Sequence, residues 1–159
     1  MDPILKLLRE DASLSAGELA RRLDKPEEEV AQAIKDYVSR HVILGYRTLV
    51  NEDLLGESRV RAVIEVRTTP ERDGGFNRIA ARIAKHQEVR TCYLMSGAYD
   101  LLVIVEGSSL HEVATFVAEK LATLRGVVST STHFMLRPYK EHGVLMLQDE
   151  DPERLEVSP

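Results

Sequence analysis

The spacing of apolar residues along the chain changes near residue 59. Before it they recur every three or four positions: Ile4, Leu5, Leu7 and Leu8; then Leu19, Ala20 and Leu23; then Val30, Ile34, Tyr37 and Val38. That spacing predicts three short helices with those residues turned inward. The residues between the stripes agree with it. Asp2 followed by Pro3 reads as an N-cap with proline at the first helical position. Ser15 and Glu18 are spaced as a capping box, each satisfying the other's backbone N–H. Asp24-Lys25-Pro26 ends the second helix, because proline bars its continuation. The third helix is expected from about Glu27 to Arg40, and Val42–Val50 reads as a strand broken at Gly45. Helices two and three, joined by a tight turn, make a helix-turn-helix, and a trailing strand pair makes it winged. Residues 51–58 are polar with a glycine and read as a linker.

From residue 59 the period becomes two. Val60, Ala62, Ile64 and Val66 alternate with Arg59, Arg61, Glu65 and Arg67, which predicts a strand. A loop follows from Thr68 to Gly75, then a helix carrying Phe76, Ile79, Ala80 and Ile83. Strands are expected over Val89–Met95 and Asp100–Glu106, with a turn between them. Ser109 and Glu112 form a second capping box. It opens a helix with Leu110, Val113, Ala114, Val117, Leu121 and Leu124 on one face and Gly126 as its C-terminal cap. The closing strand, Val127–Leu136, places Val128, Thr130, Thr132, Phe134 and Leu136 on one side. Val127, Ser129, Ser131, His133 and Met135 fall on the other. The order β-α-β-β-α-β is that of a ferredoxin-like sandwich, with both helices on one sheet face. Leu101–Val105 is apolar at every position, as in a strand covered on both faces. The helices supply one cover, and a second subunit is expected to supply the other, giving a homodimer. Residues 137–148, with Val144-Leu145-Met146-Leu147, are expected to add an edge strand. The fold class is α+β: a winged helix-turn-helix over 1–50, a linker over 51–58, a βαββαβ domain over 59–148 and an acidic tail over 149–159.

Composition narrows the functional classes. The chain has 159 residues, 43% hydrophobic, with a net charge of −5 and no Trp. No apolar run approaches the roughly 20 residues that span a bilayer, and Met1-Asp2-Pro3 lacks the basic start of a signal peptide. The single cysteine, Cys92, suits a reducing cytoplasm. The five histidines lack zinc-ligand spacing, and there is no phosphate-binding glycine loop. Neither metal nor cofactor is expected, and the absence of a catalytic pair argues against an enzyme.

The turn Met95-Ser96-Gly97-Ala98-Tyr99-Asp100, at the ends of two strands, is a natural place for a small ligand. Asp100 has two readings: its carboxylate receives a ligand ammonium, or it accepts backbone N–H bonds in the turn. The Ser129–Thr132 run likewise reads as a ligand-carboxylate site or as a hydroxyl ladder. Helix-turn-helix followed by βαββαβ resembles the leucine-responsive regulator (Lrp/AsnC) family of bacterial and archaeal transcription factors. The resemblance rests on Glu18-Leu19-Ala20, Val42-Ile43-Leu44-Gly45-Tyr46 and Gly97-Ala98-Tyr99-Asp100, in that order, and covers about Ile4 to Lys140. It implies a transcriptional regulator that binds double-stranded DNA and senses an amino acid or similar metabolite. It also implies dimers that assemble to tetramers or octamers. The effector would lie against Leu94, Met95, Ser96, Gly97, Ala98, Tyr99 and Asp100, with Thr130, Ser131 and Thr132 nearby. The DNA-facing set is Arg21, Arg22, Lys25, Glu28, Gln32, Lys35, Arg40 and Arg47, with Gln32 suited to adenine and Lys35 to guanine or phosphate.

The sequence departs from the family's pattern at Pro26, where serine is usual, and at Ala33, where arginine is common. Residues 1–57 hold eight basic and twelve acidic side chains, and DNA affinity depends chiefly on basic ones. Glu27-Glu28-Glu29 has a local explanation in the positive end of the helix dipole. Two alternatives remain at this point: a ligand-sensing or protein-interaction module with weakened DNA binding, and an enzyme like the architecturally similar haem-precursor decarboxylases.

Overall fold

The computed structural model describes residues 1–56, 59–70 and 75–146. The chain divides into two compact units, Met1–Val50 and Asn51–Pro159.

In the first unit the apolar stripes form α1 (Pro3–Glu10), α2 (Ala16–Leu23) and α3 (Glu27–Ser39). Asp2 Oδ1 accepts the Ile4 N–H at 2.8 Å and starts α1. The capping box forms at α2: Ser15 Oγ accepts the Glu18 N–H at 3.2 Å, and Glu18 Oε2 accepts the Ser15 N–H at 2.8 Å. The bonds from Ser15 hold the Glu18 carboxyl below its ordinary value. Asp24 takes a left-handed backbone (φ 52°) and turns the chain into α3. Leu19 and Val30 are fully buried, with Ile4, Leu8 and Ala20 around them. Each large apolar side chain so buried contributes about 1.5–3 kcal/mol.

Two expectations fail in this unit. Val38 is 46% exposed rather than inward. Residues 43–50 carry no strand. A strand needs a ladder partner, and none pairs with this segment among the described residues of the unit. Instead, Val42 and Ile43 fold back on α3, both donating to the Tyr37 carbonyl at 2.8 and 3.1 Å, and Ile43 packs on the core.

The second unit is a four-stranded antiparallel sheet in the order β2-β3-β1-β4. The strands are β1 (Val60–Thr68), β2 (Val89–Leu94), β3 (Leu101–Gly107) and β4 (Val127–Phe134). The helix α4 (Asn77–Ala84) and the segment Leu110–Leu121 supply the apolar cover. Ile79, Ile83, Val113, Phe116 and Leu121 pack with Ala62, Ile64, Val66, Leu101, Val103 and Val105, all at most 2% exposed. The sheet has the strand order and one-sided helices of the ferredoxin-like class.

The sequence placed a single helix from Ser109 onward. The structure has α5 (Leu110–Thr115) running into a π-helical segment, Phe116–Leu121. On an α-helix, residues five apart differ by about 140°; i→i+5 bonding brings Phe116 and Leu121 onto one face. Val113, Phe116 and Leu121 are buried and Val117 and Leu124 pack partly buried against the same core, as expected, whereas Leu110, 58% exposed, and Ala114 face outward. The cap also differs from a reciprocal box. Ser109 Oγ accepts the Glu112 N–H, but the Glu112 carboxylate accepts from Ser108.

Other boundaries shift as well. Thr68 belongs to β1 and not to the loop, and residues 71–74 of that loop lie outside the described residues. Part of the linker is structured: Glu52–Leu54 forms a 3-10 turn, and Arg61 joins Glu52 (2.7 Å) to Glu141 (3.2 Å). Residues 57–58, at its end, lie outside the described residues. Val144-Leu145 does not extend the main sheet but pairs as β6 (Val144–Leu145) with β5 (Lys140–Glu141) in a separate hairpin. Residues 147–148 of the expected edge strand and the acidic tail, 149–159, also lie outside the described residues.

The strict alternation read for the closing strand breaks at its start. Arg67 pairs with Ser129, but Thr68 pairs with Val127, which leaves Val128 as an extra residue in a β-bulge. Val127 thereby packs on the core.

Candidate functional site

In the first unit, α3 shows Glu28, Gln32 and Lys35 on one exposed face, at positions i, i+4 and i+7. Arg21 and Arg22 close α2, and both are exposed. Lys25 is ion-paired to Glu29, and Arg40 to Asp36 at 3.1 Å. Two of the candidate cations are therefore partly neutralised by acids of α3. Arg21, Arg22, Lys35 and Arg47 make no ion pair among the described residues. Pro26 stands at the α3 N-cap without a side-chain bond, and Glu27–Glu29 occupy the first turn, where the helix dipole favours acids.

In the second unit, the turn between β2 and β3 is fixed from three directions. The Met95 N–H donates to the Asp100 carbonyl at 2.8 Å and closes the turn. The Asp100 N–H donates to the Val66 carbonyl at 3.0 Å. Asp100 Oδ2 accepts the Thr68 N–H at 2.7 Å. Of the two readings of Asp100, the backbone one is met in altered form: its carboxylate accepts a backbone N–H, but from the end of β1 and not from its own turn. Gly97 has φ 150°, a conformation that side-chain-bearing residues rarely adopt, with open space around it. Leu94 and Met95 are exposed at 58% and 37%.

Arg67 joins this turn: its Nε donates to the Ala98 carbonyl at 3.0 Å. By its alternation alone, Arg67 is only an outward residue of β1. The charge at a strand end was a signal, but pairing it with a turn 31 residues on requires the sheet order.

Thr130, Ser131 and Thr132 are not gathered on one face. Thr130 and Thr132 oppose Val66 and Ile64, on the side of the helices. Ser131 opposes Glu65 on the bare face, where its Oγ lies 3.3 Å from His133 Nε2 and that ring lies 3.7 Å from Glu65. Thr130 stands across from Val66, whose carbonyl holds Asp100, so one member of the run lies beside the strand that carries the turn.

The bare face carries Val63, Leu102 and Ile104, half-buried within one chain, beside Tyr93, which is 58% exposed. Among the described residues of this unit, Leu101–Val105 is therefore covered on one face only. Among the described residues, no cluster of His, Cys, Asp and Glu is placed to hold a metal, and no helix is long and apolar enough to cross a membrane.

Residues 61–145 match the Lrp/AsnC ligand binding domain. The chain belongs to the Lrp/AsnC family. It is 40% identical over 157 residues to the uncharacterized HTH-type transcriptional regulator YugG of Bacillus subtilis, covering 98% of this chain and 95% of that one. It is 29% identical to the proline dehydrogenase transcriptional activator of Rhizobium radiobacter, covering 89% of this chain and 90% of the other. The fold matches the transcriptional regulator NMB0573 of Neisseria meningitidis, solved as an L-Met complex, with TM-score 0.69 and 23% identity over 87% of this chain and 89% of that one. This Lrp/AsnC protein is a DNA-binding transcriptional regulator whose second unit is a ligand-binding domain.

Proposed function

We propose that this regulator senses an amino acid or related small metabolite at the Leu94–Asp100 turn, and contacts double-stranded DNA through α2, α3 and Arg47 in the segment that follows them. The observation that carries the sensing half is the construction of the turn. It is pinned to β1 by Asp100 and by Arg67, yet Ser96, Gly97 and Ala98 remain exposed. A rigid frame under an open backbone suits a binding site. A relative of the same fold, the Neisseria regulator, was solved with L-Met.

Arg21, Arg22, Lys35 and Arg47 supply phosphate contacts, and Gln32 on the exposed face of α3 supplies a base contact. Glu28, beside Gln32, disfavours phosphate and limits the affinity of one unit alone. Homodimerisation through the bare sheet face, with further assembly to tetramers or octamers, multiplies these contacts. The apolar strip Val63, Leu102 and Ile104 supports that interface. The chain acts in the cytoplasm as a binding protein and not as an enzyme, as the regulator names of its relatives support.

Fluorescence anisotropy with DNA from upstream of its own gene tests the DNA contacts. Binding at micromolar protein that weakens steeply as salt rises is expected; no salt-sensitive binding refutes it. Thermal shift with the twenty amino acids tests the sensing half, because a ligand of the folded state raises Tm.

A further inference from the structure

We propose that the Arg67 guanidinium is the carboxylate anchor of this ligand site, so that the site selects small molecules bearing a free carboxylate over their amides. The inference rests on the reading that the Leu94–Asp100 turn holds the effector.

Arg67 is exposed on the bare face at the end of β1. Its Nε donates to the Ala98 carbonyl, which fixes the plane of the guanidinium against the turn. Arginine carries five N–H donors in a rigid fork. Its terminal nitrogens make no hydrogen bond or ion pair among the described residues.

The other arginines of the sheet differ. Arg59 and Arg90 both pair with Glu106, and Arg61 pairs with Glu52 and Glu141. Glu65, two residues back from Arg67 on the same face, faces His133 instead. Arg67 is thus a pre-oriented cation whose fork is open for a planar anion, and a carboxylate fits that fork with two parallel bonds.

Three neighbours favour the same ligand chemistry. The bulge in the β1–β4 pairing falls between Arg67 and Thr68, and bulges re-aim side chains next to functional sites. Ser129, opposite Arg67 across the ladder, adds an exposed hydroxyl on the same face. The backbone N–H groups of Ser96, Gly97 and Ala98 make no hydrogen bond among the described residues, which leaves donors for an anion. Asp100, by contrast, has Oδ2 committed to the Thr68 N–H. Its part is to position β1, and with it Arg67, against the turn.

The test is isothermal titration of the full chain with L-methionine, L-leucine, L-alanine and L-asparagine, each beside its α-carboxamide. The proteins are the wild type, Arg67→Gln and Arg67→Lys. The wild type is expected to bind an acid about tenfold or more tightly than its amide, the loss of one charge-assisted contact. Arg67→Gln weakens the acid by a similar factor and leaves the amide unchanged, which also reports that the variant is folded. Arg67→Lys, a point charge without the fork, recovers part of the difference. The proposal is overturned if Arg67→Gln binds the acid as the wild type does, or if the acid-to-amide ratio survives in Arg67→Gln. If none of the four acids binds the wild type, the reading of the turn as an amino-acid site falls, and the anchor with it.

Discussion

Asp100→Ala tests the frame beneath the ligand site directly. Asp100 Oδ2 accepts the Thr68 N–H at 2.7 Å, and Thr68 is only 8% exposed. Truncation therefore leaves a buried backbone donor without its partner. A hydrogen bond to a charged group contributes about 1.5–3 kcal/mol, and a buried orphan donor costs a similar amount. The Asp100 backbone bonds to Val66 and Met95 are untouched by the substitution, so the loss is confined to this contact. For a domain near 100 residues, 1 kcal/mol corresponds to roughly 4 °C in Tm, so Asp100→Ala is expected to lower the melting temperature of the second unit by about 6–12 °C. Asp100→Asn keeps an acceptor and loses only charge assistance, so about half that drop is expected. Circular dichroism melts of the full chain measure both. A Tm for Asp100→Ala within about 2 °C of wild type would sink the assignment.

Three further outcomes follow from described contacts. Ser15→Ala removes the acceptor of the Glu18 N–H and is expected to cost the first unit about 1 kcal/mol, read by urea unfolding. Gly126→Ala adds a Cβ at φ 98° and 3.1 Å from Ile79 Cδ1, so a loss of about 1–2 kcal/mol is expected in the same assay. The Glu106 side chain is 8% exposed; burial alone would raise its carboxyl, but the Arg59 hydrogen bond and the Arg90 and Arg59 charges outweigh burial and lower it. That contribution is present above the ordinary value of 4.5 and is lost as pH falls through the lowered one. Between about pH 6 and pH 3 the wild type should therefore lose stability more steeply than Glu106→Gln, and parallel curves would contradict the pairing.

Local chemistry made most elements legible in advance. Asp2, Ser15 and Ser109 act within two or three residues of themselves, so their caps could be read without a fold. The alternation of Val60 to Val66 likewise states which face of β1 is covered. What escaped depends on distant partners. Val42–Val50 has strand composition, but a strand exists only with a ladder. The π segment hides because Phe116 and Leu121 are five apart: a period of 3.6 keeps Leu121 inward but assigns Leu110 and Ala114 to the core and leaves Phe116 out. The bulge at Val128 is set by how β4 meets β1, and it reverses the face of Val127. The turn itself was visible in Gly97 and Asp100. Its bracing by Thr68 and Arg67 was not, because those contacts cross 32 and 31 residues of sequence.

Arg61 has a mechanical consequence. One guanidinium holds Glu52, nine residues before it, and Glu141, 80 residues after it. Chain tension arriving from Val50 meets the Glu52 turn and this ion pair before it reaches the first rung of β1. The sheet therefore has a fuse at its N-terminal side, a part-buried side-chain pair that is not itself a rung of the strand ladder. The same fuse is anchored at its far end in the β5–β6 hairpin, so a pull on one end of the domain is shared with the segment near its other end.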